Sequence, residues 1–243
     1  MSGQSTTARA RGTASQGLYT DGGYLAHNPT WHVGDSAWKA QQILRMLDRH
    51  ALTPRTIAEV GCGAGEILKQ LEQRLPHATL VGYEISPQAL ELARERESER
   101  LRFELKDFCD EDVCYDLVLV IDVVEHVEDH FSFLRRIRPK AGYTLLHLPL
   151  ELSVQSVLRS GPIRKSRVDL GHIHYFTKDI ALALLCDVGY DVVDHFYTFG
   201  TVQLPPKSWR QRALWLPRRI SFSASPDLAV RVLGGASLLV LAR

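Results

Sequence analysis

Five short apolar runs recur along the first two thirds of the chain, with helix-like segments between them. The runs are TIAEV (56–60), TLVGYE (79–84), LRFEL (101–105), DLVLVID (116–122) and YTLLHLP (143–149). Each is short enough for a strand, and all but LRFEL are apolar at consecutive positions, the pattern of strands covered on both faces of a sheet. Ahead of the first run, Asp35 stands as an N-cap before Trp38, Ile43, Leu44 and Leu47, which predicts a helix over about 36–49. After the second, Ser86 and Pro87 open a helix whose apolar stripe is Ala89, Leu92 and Ala93. Further helices are predicted near 129–137 and over 178–187, the latter stopped at Gly189. Strands alternating with helices indicate a parallel sheet with helices on both sides, a doubly wound α/β fold.

The end of the chain reads differently. DVVDHFYTF (191–199) and SLLVLAR (237–243) are both strand-like, and the Pro- and Arg-rich insertion between them, 200–236, leaves little room for a crossover helix beside the last strand. The predicted organisation is a tail without fixed structure over 1–18, a lid segment and helix over 19–54, and one α/β domain over 55–243.

Composition changes this picture only by exclusion. The 29 basic and 28 acidic residues leave a formal charge of +1, so no overall field favours a nucleic-acid backbone as partner. Hydrophobic content of 45% and charged content of 23% are ordinary for a globular protein. The four cysteines include no CxxC pair, so neither a zinc site nor a disulfide framework is expected. Without an apolar run of about 18 residues no spanning helix is predicted. The first seventeen residues lack the apolar stretch of a secretory signal, which makes the cytoplasm the expected location.

The chemistry concentrates at IAEVGCGAGEIL (57–68), where a strand turns on Gly61, Gly63 and Gly65 before a helix resumes. In doubly wound sheets ligands sit beyond the carboxyl ends of the strands, where this turn lies. A dinucleotide fingerprint would need glycine at position 66, and Glu66 stands there. Glu59, just before the turn, would repel a pyrophosphate but suits a ligand carrying an ammonium group, while the glycines allow close approach to backbone. Glu84, at the end of the second strand, is placed to accept hydrogen bonds from ribose hydroxyls. Asp107 and Phe108, after the third, can bracket a purine by hydrogen bond and by stacking. An ammonium, a ribose and an adenine without phosphate describe S-adenosylmethionine. The same glycine turn occurs in nucleotide-binding folds that take no methyl donor, so the neighbouring acids carry the distinction.

The chain resembles the class I S-adenosylmethionine-dependent methyltransferases, in particular the bacterial small-molecule group. The matching residues are EVGCGAG (59–65), YEIS (83–86), DF (107–108), DLVLVIDVVEHV (116–127), RPKAGYTLLHLP (138–149) and GHIHYFT (171–177), within a likeness spanning about residues 20–243. The resemblance implies a seven-stranded Rossmann-like sheet with an antiparallel last strand. It also implies cofactor contacts at Glu59, Gly61, Cys62, Gly63, Gly65, Glu84, Ile85, Asp107, Phe108, Asp122 and Val123. Ala141 departs from the family, which usually has a second glycine there. Asn28-Pro29-Thr30-Trp31 lacks the second proline of the nucleic-acid amino methyltransferase motif, and no Pro-Cys pair offers a nucleophile for cytosine. A small-molecule acceptor is therefore expected, with no nucleic-acid partner, and the chain as monomer or homodimer. The rival reading is a protein of this fold that binds S-adenosylmethionine without transferring its methyl group.

Methyl transfer from a sulfonium is an in-line displacement in which holding the reactants collinear supplies much of the rate. A base is needed only for a protonated acceptor, and His126 is the first candidate, with His172 the second and His174 beside it. His172 and His174 would share one side of an extended strand, an arrangement that also suits a metal. No third histidine or acid accompanies them within that motif, so no metal is expected. Alternatively the three histidines only cap a helix and fix the loop. Tyr24, Trp31 and His32 are costly to expose in a linker, which predicts a lid over the cofactor; Arg164 and Tyr175 join the expected acceptor contacts. The basic stretches 159–167 and 206–220 read as solvated surface, or as a cover for the acceptor pocket, a face for anionic lipid or a partner contact.

Overall fold

The computed structural model describes residues 33–200, 215 and 219–243. Seven strands form one sheet in the order β3-β2-β1-β4-β5-β7-β6. They are β1 (Thr56–Val60), β2 (Thr79–Glu84), β3 (Leu101–Leu105), β4 (Tyr115–Ile121), β5 (Ala141–Leu150), β6 (Val192–Thr198) and β7 (Ala236–Ala242). The first five pair in parallel, and β7 runs antiparallel to both β5 and β6.

Alternation along β4 explains why both faces are covered. Leu117 and Leu119 pack on one side with Ile43, Met46 and Leu47 of helix α1 (Val33–Arg49) and with Leu68 and Leu71 of α2 (Glu66–Arg74). Leu90 and Ala93 of α3 (Pro87–Arg94) complete that layer. Val118 and Val120 point the other way, onto Leu134 and Ile137 of α4 (His130–Ile137). The strand-to-helix turns consequently gather at one edge of the sheet, at the carboxyl ends of the parallel strands. Ser86 caps α3 as the sequence suggests, its hydroxyl accepting from the Ala89 amide 3.4 Å away with Pro87 in the first turn.

The structure differs from the sequence reading, or adds to it, at three places. Helix α1 begins at Val33, so Asp35 lies in its first turn rather than at its cap, where it pairs with Lys39 one turn on. The stretch after β5 is helical: α5 (Val154–Arg159), α6 (Gly161–Lys165) and a wide turn over Ser166–Leu170 follow the Ser153 capping box. Helix α7 (Lys178–Asp187) matches its predicted span, but a further helix, α8 (Pro226–Leu233), stands immediately before β7 where none was expected. Pro226 at its start and the apolar pair Ala229 and Val230 on its buried face were the signals for it. The predicted tail, the lid residues Tyr24, Trp31 and His32, and most of 200–218 lie outside the described residues.

Candidate active site

One cavity of about 1180 Å3 opens at the carboxyl ends of the parallel strands, reaching from the glycine turn to the residues after β4 and β5. This exceeds the usual ligand pocket of about 300–1,000 Å3, leaving space for a cofactor-sized molecule and a second reactant.

The turn after β1 needs its glycines for two reasons. Gly61 and Gly65 have φ of 68° and 76°, in the left-handed region that side chains disfavour. A Cβ on Gly61 would also lie 2.9 Å from Val123 Cγ2, and one on Gly65 2.4 Å from the Phe103 ring. The Cys62 side chain is buried, and burial, with Glu84 and Glu59 nearby, pushes its thiol well above the ordinary range. It is a packed small residue and not a thiolate nucleophile.

Two carboxylates flank this turn. Glu84 Oε2 accepts from the Gly63 amide at 2.8 Å, while its Oε1 accepts from the amides of Ile85 and Ser86, each at 2.8 Å. Burial raises the Glu84 pKa and the three amides pull it back. Glu59 is 2% exposed, and its Oε2 has no hydrogen-bond partner among the described residues. Burial pushes its carboxyl up to about 8; the Lys39 ammonium opposes the rise, and the Glu84 and Asp122 carboxylates add to it.

After β4 the backbone reaches Asp122 with φ of 54°. Its Oδ1 accepts from His147 Nδ1 at 2.5 Å, and its Oδ2 meets Lys39 Nζ at 2.9 Å. His147 stands opposite Ile121 in the β4–β5 register, and its Nε2 bonds Thr198 Oγ1 at 2.8 Å. Burial alone would raise the Asp122 carboxyl, but His147 and Lys39 hold it far below the usual carboxylate range. Lys39 and His147 are site residues that sequence reading missed. Their signals were a lysine on the core-facing side of α1 and a histidine at the carboxyl end of a central strand.

Asp107 Oδ1 accepts from the Cys109 amide at 2.9 Å, capping the short turn Phe108–Asp110. Phe108 lines the cavity but its ring is 1% exposed and packs edge-on to Tyr83 at 5.1 Å. Ile85, 41% exposed, offers the free apolar surface there.

At the opposite end the fold brings together Glu125 and His126, on the short turn Val124–His126, with His172. The two rings meet edge to face at 4.7 Å between centroids. His126 Nδ1 donates to the Gly171 carbonyl at 3.2 Å, and His172 Nδ1 donates to Glu151 Oε2 at 2.9 Å. Burial and then His172 lower the His126 pKa to about 4, so the ring is neutral at pH 7. His174 turns away: its Nε2 bonds the Val127 carbonyl at 3.0 Å, it stacks on His130, and it does not line the cavity. Tyr175 donates to the His172 carbonyl at 3.0 Å, and neither it nor Arg164 lines the cavity. Arg159, from the basic stretch 159–167, does line it, as does Glu151, which no motif marked.

Residues 58–141 match the methyltransferase domain family. The chain is 28% identical over 110 residues to the trans-aconitate 2-methyltransferase of Rhodococcus jostii, covering 45% of this chain and 43% of the relative. It is 33% identical over 94 residues to the enzyme of that name from Deinococcus radiodurans, covering 37% and 36%. The chain thus spans less than half the length of these relatives. Among solved structures, magnesium protoporphyrin IX methyltransferase from Synechocystis PCC 6803 with bound S-adenosylmethionine superposes with a TM-score of 0.61 over 98% of this chain and 99% of its own, at 14% identity. Residues 58–141, at the centre of the sheet, thus match a methyltransferase domain, and the chain as a whole shares the fold of a solved structure that binds S-adenosylmethionine.

Proposed function

We propose that the chain transfers a methyl group from S-adenosylmethionine to an oxygen nucleophile of a small-molecule acceptor. The observation that carries this reading is a shared cavity, which joins Glu59, whose Oε2 has no hydrogen-bond partner among the described residues, to the imidazoles of His126 and His172. Glu59 suits the ammonium of the cofactor's amino-acid portion, since a buried oxygen without a donor is costly until one arrives. Of the roughly four acceptor directions on Glu84, three are taken by backbone amides, leaving about one for a ribose hydroxyl. Ile85 supplies the apolar contact for the adenine, and Asp107 the polar one. When bound, S-adenosylmethionine supplies an electrophilic methyl group. The Nδ1–H bond of His172 to Glu151 makes Nε2 the basic nitrogen of that ring, the candidate to receive the proton of an acceptor hydroxyl, and the His126 ring packs edge-on against it.

The relatives are named for trans-aconitate, a polyanion. The cavity wall carries Glu125, Glu151 and Arg159, a set without the excess of positive charge that a polyanion would need, which favours an acceptor carrying fewer charges. Incubating the chain with methyl-labelled S-adenosylmethionine and a protein-free bacterial extract is expected to move label into small molecules. Label that stays in the donor at every extract composition, with S-adenosylhomocysteine still bound, would favour the rival reading of a binding protein.

Glu59 sets a pH dependence. Its folded pKa, about 8 with no ligand bound, lies above the ordinary 4.5. Between those values the folded chain holds a proton that the unfolded chain has lost, so this group makes stability fall as pH rises through that window. An ammonium prefers the ionised form, so binding below pH 8 must expel the proton. Calorimetric titration with S-adenosylhomocysteine at pH 7, in buffers of different ionisation enthalpy, should register release of about one proton. Affinity should climb from about pH 6 to 8 and level off above, and Glu59→Gln should remove both effects. A pH-independent affinity in the wild-type chain would place the ammonium elsewhere.

A further inference from the structure

We propose that Glu125, His126 and His172 form a binding site for one divalent transition-metal cation, opening into the acceptor end of the cavity. One ligand atom from each of the three lies within 4.8 Å of the other two. That spacing lets a single ion reach all three with small side-chain adjustments, at the distances of about 2.0–2.2 Å that imidazole and carboxylate ligands adopt.

Glu125 makes a cation the better explanation than a hydrogen-bond network. The residue is 0% exposed, and among the described residues neither carboxylate oxygen has a hydrogen-bond partner. Two orphaned acceptors at such depth are costly unless something positively charged completes them. Asp122 and Glu151 bring further negative charge to the same region. Lys39, whose charge acts on Glu125, is already paired with Asp35 and Asp122.

The hydrogen bonds of both rings fix a tautomer suited to ligation. A carbonyl oxygen can only accept, so His126 carries its proton on Nδ1 and its lone pair on Nε2. The Glu151 carboxylate does the same for His172, and Ser166 Oγ donates to that carboxylate at 2.5 Å. A metal-bound histidine whose other nitrogen donates to a carbonyl or carboxylate is the usual outer shell of a metal centre. Two imidazoles and one carboxylate suit Mn2+, Fe2+, Co2+ or Zn2+ better than Mg2+ or Ca2+, which prefer all-oxygen sets. All three residues line the cavity, so the remaining coordination positions face the space where an acceptor oxygen would lie.

This inference goes beyond methyl transfer and is tested without it; with an ion bound, the two Nε2 atoms would serve as ligands and not as bases for the acceptor. Titrating the metal-free full chain with Co2+ should develop visible ligand-field bands that saturate at one ion per chain, with S-adenosylhomocysteine affinity measured alongside to verify the fold. Glu125→Gln and His172→Asn should each weaken Co2+ binding at least tenfold while the chain still binds S-adenosylhomocysteine. His174→Gln, which alters the neighbouring His130–His174 pair, should leave it unchanged. Absence of a saturable one-to-one band would overturn the proposal. So would binding that survives both Glu125→Gln and His172→Asn, or that disappears with His174→Gln. Should Glu125→Gln fail to fold, His172→Asn decides alone, because its loss leaves the buried Glu125 untouched.

Discussion

Lys39→Met should lower the stability of the chain by about 3 to 5 kcal/mol, the scale for removing one partner of a buried ion pair. Methionine keeps most of the apolar stem, so the loss isolates the charge. The Lys39 side chain is 14% exposed and sits between Asp35 at 3.2 Å and Asp122 at 2.9 Å. Burial alone would lower its pKa, yet these two carboxylates hold it above the ordinary lysine value. Without it, Asp122 keeps only His147, with the Glu59 carboxyl close behind. Urea unfolding followed by circular dichroism would measure the change as a lower midpoint with an unaltered slope. An unchanged midpoint would mean that the pair only balances its own desolvation. The variant should also raise the Glu59 pKa, because Lys39 is the group pulling it down, so proton release on ligand binding should extend to higher pH.

Glu84→Ala is the second large effect, and it falls on two observables. The carboxylate is the acceptor for three amides, those of Gly63, Ile85 and Ser86. Each buried amide left unpaired costs about 1 to 3 kcal/mol, so a loss of at least about 2 kcal/mol in stability is expected even if water reaches one of them. Affinity for S-adenosylhomocysteine should fall by a further 1.5 to 3 kcal/mol, roughly 10- to 150-fold, for the lost charged acceptor. Thermal unfolding and calorimetric titration separate the two. Unchanged affinity in a folded variant would remove Glu84 from the ribose contact and leave it as a brace for the glycine turn.

The sheet was legible because its strands bury both faces: Leu117 to Ile121 read as strand in any register, and the observed β4 follows. The closing antiparallel strand was legible only through the family resemblance, since nothing in SLLVLAR itself encodes direction. Helix α8 was missed because the Pro- and Arg-rich composition before it reads as irregular, although the packing of Ala229 and Val230 overrides that local signal. In the site, the acids beside the glycine turn could be located from strand ends alone. Side-chain direction could not. His172 and His174 are two residues apart and would share one side if extended, yet one points at Glu151 and the other at the Val127 carbonyl. The amides of Ile173 and His174 both donate to the Glu125 carbonyl, bending the backbone out of that pattern. Likewise Lys39 reaches the site through a contact 83 positions away in sequence with Asp122, a pairing that only the packed fold creates.

The strand order carries a practical consequence for where this chain can be cut. The family match ends at residue 141, where β5 begins, and β4 lies between β1 and β5. A fragment stopped there would turn a central strand into a bare rim. Leu117 to Val120 are almost wholly shielded from water in the intact sheet, and a long, flat, uncharged rim of that kind recruits other chains edge to edge. The minimal piece that stays dispersed in solution must therefore extend through the final strand, because β7 is what covers the outer side of β5.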